Sequence, residues 1–108
     1  MDAEQIYLIC NKNFKLAKGA NKYTDVWEIK QEMKNPHPAP FPEELTDRIV
    51  SSTTGKIILD PFGGSGTTMI AAEQLDRRAY LMELDEVFCD VIVKRWENFT
   101  GLTAIMEE

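Results

Sequence analysis

The spacing of apolar residues changes character along the chain, and the second half gives the clearer pattern. Leu45 and Ile49 lie four apart behind Pro42, Glu43 and Glu44. Proline and acidic residues suit a first helical turn, so the spacing predicts a helix running to about Ser52. Lys56-Ile57-Ile58-Leu59-Asp60 sets three consecutive apolar residues between a Ser/Thr/Gly break and a proline, the pattern of a buried strand. Pro61 to Gly66 is a glycine-rich loop, and Thr67 to Leu75 reads as a helix whose Ala71 and Ala72 offer a surface for close packing. Ala79 to Leu84 is the next strand. Asp85 then caps a helix with Phe88, Ile92, Trp96 and Phe99 on one stripe, closed by Gly101. Leu102 to Glu108 reads as a frayed tail.

The first part is less regular. Ile6-Tyr7-Leu8-Ile9-Cys10 is rich in β-formers and reads as a strand, with Thr24 to Ile29 a weaker candidate. Asn11 to Lys22 reads as a loop or long turn. Residues 36–42 carry four prolines in alternation and favour extended, polyproline-like backbone. The chain therefore divides into an N-terminal strand or hairpin region, 1–35, and an α/β region, 36–108. Strand–helix–strand at this length implies parallel neighbours joined by a right-handed crossover. That is the nucleotide-binding half of a doubly wound sheet.

Length and charge narrow the function classes. The 108 residues support one domain at most. With 12 Lys and Arg against 18 Asp and Glu, the net charge is −6. An acidic chain is not expected to carry a large phosphate-tracking surface alone, and Lys12, Lys15, Lys18 and Lys22 read as a solvated loop. No apolar run is long enough to span a membrane, and Met1-Asp2-Ala3-Glu4 does not open a signal peptide. Two cysteines make no secreted disulfide framework, so a cytoplasmic location is expected.

The segment Asp60-Pro61-Phe62-Gly63-Gly64-Ser65-Gly66-Thr67-Thr68 carries the candidate chemistry. Glycines between a strand and a helix let backbone turn sharply and approach a ligand. The carboxyl end of a strand is where open α/β sheets bind. A phosphate loop needs Lys before Ser or Thr, and none is present; Asp60 would repel a phosphate. The dinucleotide pattern G-x-G-x-x-G is matched poorly. A cationic ligand with an amino group, such as S-adenosylmethionine, suits the acidic strand end. Glu83, near the end of the next strand, stands where an acidic residue accepts ribose hydroxyls. A plain tight turn with a solvated strand cap is the competing reading of the same residues.

This loop resembles the cofactor motif of the DNA amino-methyltransferases, which methylate adenine N6 or cytosine N4. His37-Pro38-Ala39-Pro40-Phe41-Pro42 with Glu43-Glu44-Leu45 is similar to the segment preceding that motif in the permuted subgroup. Met82-Glu83-Leu84-Asp85 and Cys89 to Trp96 are similar to its second strand and closing helix. The resemblance implies a partial Rossmann-like methyltransferase fold and S-adenosylmethionine as cofactor. It implies a site made of Ala39, Phe41, Asp60, Phe62, Gly63, Gly64, Ser65, Gly66, Thr67, Thr68, Glu83 and Leu84. Gly63 to Gly66 would line the methionyl part through backbone contacts, with Asp60 near its ammonium. Thr67 and Thr68 would bind its carboxylate. Glu83 would hold the ribose, Leu84 would lie against the adenine, and Ala39 and Phe41 would close the other side.

The family's catalytic motif is Asp, Asn or Ser followed by Pro-Pro and an aromatic residue. No Pro-Pro pair occurs in this sequence. The chain is therefore expected to be the C-terminal, cofactor-binding part of a restriction–modification type enzyme, as a truncated product or one half of a split enzyme, inactive alone. DNA would be its partner through the complete enzyme, and the uncovered strand edge predicts self-association or pairing with the catalytic part. A non-catalytic cofactor-binding module and a nucleotide or dinucleotide binder are the other readings. Direct methyl transfer needs no covalent base adduct, so Cys10 and Cys89 are not assigned as nucleophiles. Cys10, His37 and Cys89 lack metal-ligand spacing, and no metal is expected. Ser65 has no histidine near it in sequence, and Trp96 and Phe99 read as core.

Overall fold

The computed structural model describes residues 5–23, 26–29 and 43–107. Its elements are α1 (Glu43–Ser51), β1 (Ile57–Asp60), α2 (Thr67–Gln74), β2 (Arg78–Leu81) and α3 (Glu86–Thr100), preceded by a single 3-10 turn at Ala20–Lys22. β1 and β2 pair in parallel, with Ile57 opposite Arg78 and Asp60 opposite Leu81. The order helix–strand–loop–helix–strand–helix follows the hydrophobic pattern, because each boundary carries its own local signal. The Asp85 side chain accepts a hydrogen bond from Val87 N–H at 2.9 Å and starts α3. Gly101, in the left-handed region with φ 75°, ends it.

α2 lies at the centre. Ile70, Ala71 and Ala72 are buried, and the two alanines let α1 and β2 approach closely. Arg77 fastens α1 to the start of β2. Its guanidinium donates to the carbonyl oxygens of Val50 and Thr53, satisfying acceptors that the end of α1 leaves open. The hydroxyls of Ser52 and Thr53 donate to the carbonyls of Arg48 and Val50 and help end the helix at Ser51.

Several expectations are corrected. β2 spans 78–81 rather than 79–84, because β1 ends at Asp60: Met82 N–H still bonds Asp60 O, but beyond it β1 offers no residue to pair with. Val50, rather than Ile49, is the buried residue of α1, since Arg77 draws that side of the helix inward. Phe99 is exposed. α3 has 15 residues and α2 only 8, about 22 Å against about 12 Å, so the last turn of α3 overhangs its support. The tail is tied at its start, where Ala104 N–H donates to Glu97 Oε2 at 2.9 Å.

The expected strand at Ile6–Cys10 does not form. This run is exposed and has no regular structure, because β-propensity cannot act without a partner strand. Val26–Ile29 is also irregular, and Thr24 and Asp25 lie outside the described residues. The N-terminal region rests on α1 instead. Ala17 N–H donates to Ser52 O at 2.9 Å, and the Arg48 guanidinium lies 5.0 Å from the Tyr23 ring centroid and 5.6 Å from that of Trp27. The proline block also falls outside the described residues.

The sheet is covered on one face only. Ile58, Asp60, Ala79 and Leu81 point toward the helices, whereas Ile57, Leu59 and Tyr80 are exposed on the other side. The expected burial of β1 is therefore half met within this chain. No large side chain among the described residues is completely buried. No helix among them is long and apolar enough to cross a membrane.

Candidate functional site at the glycine loop

The loop between β1 and α2 is built from the strand outward. Asp60, the last residue of β1, turns its carboxylate back into the loop. Oδ1 accepts from Phe62 N–H at 2.9 Å and Oδ2 accepts from the Thr68 hydroxyl at 2.6 Å. Asp60 thus joins the loop's start to the first turn of α2. The loop is then laced to the end of the second strand: Gly63 N–H donates to Met82 O at 2.8 Å, and Met82 N–H donates to Asp60 O at 2.9 Å.

Two glycines are required for steric reasons. A Cβ on Gly63 would lie 3.2 Å from side-chain atoms of both Leu81 and Ile92. Gly66 caps α2 with φ 90°, and a Cβ there would lie 3.2 Å from Ile92 side-chain carbons and 3.4 Å from its Cα. The loop therefore sits directly on α3, closer than any larger residue permits.

Glu83 meets the loop at its mouth. Oε1 accepts from Gly64 N–H at 2.8 Å and Oε2 accepts from Asp85 N–H at 2.8 Å. The carboxylate and the glycine backbone thus come together across 19 residues of sequence. Phe62 and Leu84 flank this point and are strongly exposed. An acidic group, a glycine backbone and two open apolar side chains make a surface that can bind a sugar edge and stack a flat ring.

The underside of the loop is polar and closed. Ser65 and Thr67 are buried, at 4% and 8% exposure. Arg95 of α3 donates to Ser65 O at 2.8 Å, and lies 3.2 Å from Ser65 Oγ and 3.4 Å from Thr67 Oγ1. Its other nitrogen donates to Glu43 Oε1 at 2.9 Å. The Thr67 hydroxyl thus faces Arg95, and the Thr68 hydroxyl is engaged by Asp60. Ala39 and Phe41 lie outside the described residues. Among the expected residues, the structure brings together Asp60 to Thr68 with Glu83, and leaves Phe62 and Leu84 open beside them. Arg95 was not among the expected residues; a lone arginine on an amphipathic helix carries no signal of the loop it holds.

A separate cavity of about 480 Å³ lies between α2, β2, α3 and the tail, lined largely by Met69, Ile92, Val93, Trp96, Ala104 and Ile105. It is a seam between packed elements, and its acidic lining residue, Glu73, accepts from Trp96 Nε1. No group of His, Cys, Asp and Glu among the described residues forms a metal site.

A family model described as DNA methylase, of the N6/N4 type, matches residues 5–94. This chain belongs to that family. Among curated DNA methylase relatives, the type II methyltransferase M.BglII of Bacillus subtilis is 39% identical over 74 residues, covering 62% of this chain and 21% of the relative. The type II methyltransferase M.HpaI of Haemophilus parainfluenzae is 33% identical over 98 residues, 83% of this chain and 31% of the relative. The chain thus spans about a fifth to a third of these methylases. The crystal structure of M1.HpyAVI with S-adenosylmethionine superposes with a TM-score of 0.65 at 28% identity, covering 78% of this chain and 44% of that one. The α/β unit is a partial Rossmann-like methyltransferase fold, as the family resemblance implies.

Proposed function

We propose that this DNA methylase chain binds S-adenosylmethionine at the glycine loop, as the cofactor-binding part of an enzyme that methylates adenine N6 or cytosine N4 in DNA. One observation carries the reading: the Glu83 carboxylate lies against the Gly64 amide at the open end of a loop that needs glycine to exist. The cofactor supplies a methyl group on a cationic sulfonium.

The residues present fit such a ligand. A carboxylate has about four acceptor sites, so Glu83 is suited to a ribose edge as well as to backbone amides. Exposed Leu84 and Phe62 offer apolar surface to an adenine ring. Asp60 and Glu83 give the mouth negative charge, which favours a cation over a phosphate. Thr67 and Thr68 hold the loop's shape through Arg95 and Asp60, a positioning role that replaces direct contact with a ligand carboxylate.

Titration calorimetry of the 108-residue chain tests this reading. S-adenosylhomocysteine should bind in preference to ATP and NAD. Tighter binding of either nucleotide would overturn the assignment.

The catalytic motif and the surface that reads DNA belong, in this proposal, to polypeptide beyond these residues. The exposed apolar face formed by Ile57, Leu59 and Tyr80 supports a partner, either a second copy or the catalytic part. Sedimentation should show association that rises with concentration, or with addition of the catalytic part. A monomer unchanged under both conditions would refute the pairing.

A further inference from the structure

We propose that Arg95 is a positioning residue for the cofactor loop, acting as a spacer that fixes the loop's underside relative to the start of α1. This deepens the reading of the loop as the S-adenosylmethionine site and rests on it. The mouth side of the loop is held by Met82 O and the Glu83 carboxylate. The opposite side is held by one guanidinium, which reaches Ser65 O, Ser65 Oγ and Thr67 Oγ1 with one nitrogen and Glu43 Oε1 with the other.

The arrangement has two physical consequences. First, Ser65 is nearly inaccessible to water, so its carbonyl depends on a protein donor. Removing Arg95 leaves that acceptor to find a partner by moving the loop, and the Gly64 and Gly66 amides move with it. Second, Glu43 is the first residue of α1, so the same guanidinium that holds the loop also holds the first turn of that helix. One planar group therefore couples the loop's underside to the start of α1. The fork matters as much as the charge: two nitrogens of fixed separation serve two elements, and a lysine, with one point of attachment, cannot reproduce this.

A structural ion pair would stabilise the whole unit evenly, whereas a positioning residue acts on the loop first. Amide hydrogen exchange of the ligand-free 108-residue chain, followed residue by residue, separates the two. In Arg95→Met, exchange at Gly64 and Gly66 should rise about tenfold or more, the scale of one lost hydrogen bond to a charged group. The Arg78 and Met82 amides, which bond across the two strands, should change by less than about twofold on that scale. Arg95→Lys should loosen the loop partly, and Glu43→Gln less. S-adenosylhomocysteine affinity should fall in the same order, by about tenfold for Arg95→Met.

A rise shared equally by loop and strand amides, or none in the loop, would overturn the proposal. If Arg95→Met does not fold, the Arg95→Lys and Glu43→Gln profiles decide by the same criterion. If the unaltered chain binds no S-adenosylhomocysteine, the cofactor reading fails, while the exchange profiles still decide what Arg95 does to the loop.

Discussion

Gly66→Ala is expected to lower stability by about 2–5 kcal/mol and to abolish binding of S-adenosylhomocysteine. The cost has two parts. A left-handed residue with a Cβ loses about 1–2 kcal/mol, and forcing an atom into packed surroundings adds about 1–3 kcal/mol. Both apply, because Gly66 has φ 90° and its Cβ would press on Ile92, including the α3 backbone at 3.4 Å. For a unit of this size the fall corresponds to a drop of roughly 10–25 °C in Tm. Gly101 is the internal control. It also has positive φ, at 75°, but a Cβ there would meet nothing within 4 Å. Gly101→Ala should therefore cost only about 1–2 kcal/mol and leave binding intact. Thermal melts and calorimetry on the two variants check this; equal losses would show that the packing of the loop on α3 contributes little.

Glu83→Gln should weaken S-adenosylhomocysteine binding by about a hundredfold, the scale of one or two charge-assisted hydrogen bonds. The substitution keeps size and shape. It replaces one carboxylate oxygen with an NH2 group, which would face a backbone N–H of Gly64 or Asp85 where an acceptor now sits. Two donors then oppose each other at the loop mouth, and stability should fall by about 1–3 kcal/mol as well. Calorimetry reports the first effect and denaturant unfolding the second. Affinity unchanged in a folded variant would remove Glu83 from the site.

The legible parts of this molecule are those fixed by neighbours in sequence. Pro42 with two glutamates, the Gly-rich turn after Asp60, the Asp85 cap and Gly101 each state a boundary within a few residues, so the element order could be read directly. The meeting of the glycine loop with Glu83 was legible to the same depth. A glycine loop at a strand end and an acidic residue just past the end of the next strand are both local patterns, and parallel pairing brings them together. Arg95 and Arg77 were not legible, since their partners lie 24 to 52 residues away and a charged residue on a helix looks like any solvated one. The direction of the Thr67 hydroxyl depended on the Arg95 contact, and that of Thr68 on the Asp60 carboxylate across the loop. Ile6–Cys10 misled for the opposite reason: its composition is right for a strand, but pairing is a property of two segments.

The close sequence spacing of the central pieces also bears on the order of events in biosynthesis. Ile57 and Arg78 are partners across 78 − 57 = 21 residues. Closing so short a segment is a fast, local event, so β1, α2 and β2 can come together as a nucleus while a nascent chain is still being made. The greasy outer side of that nucleus, with Ile57, Leu59 and Tyr80, would then be left for whatever packs against it afterwards.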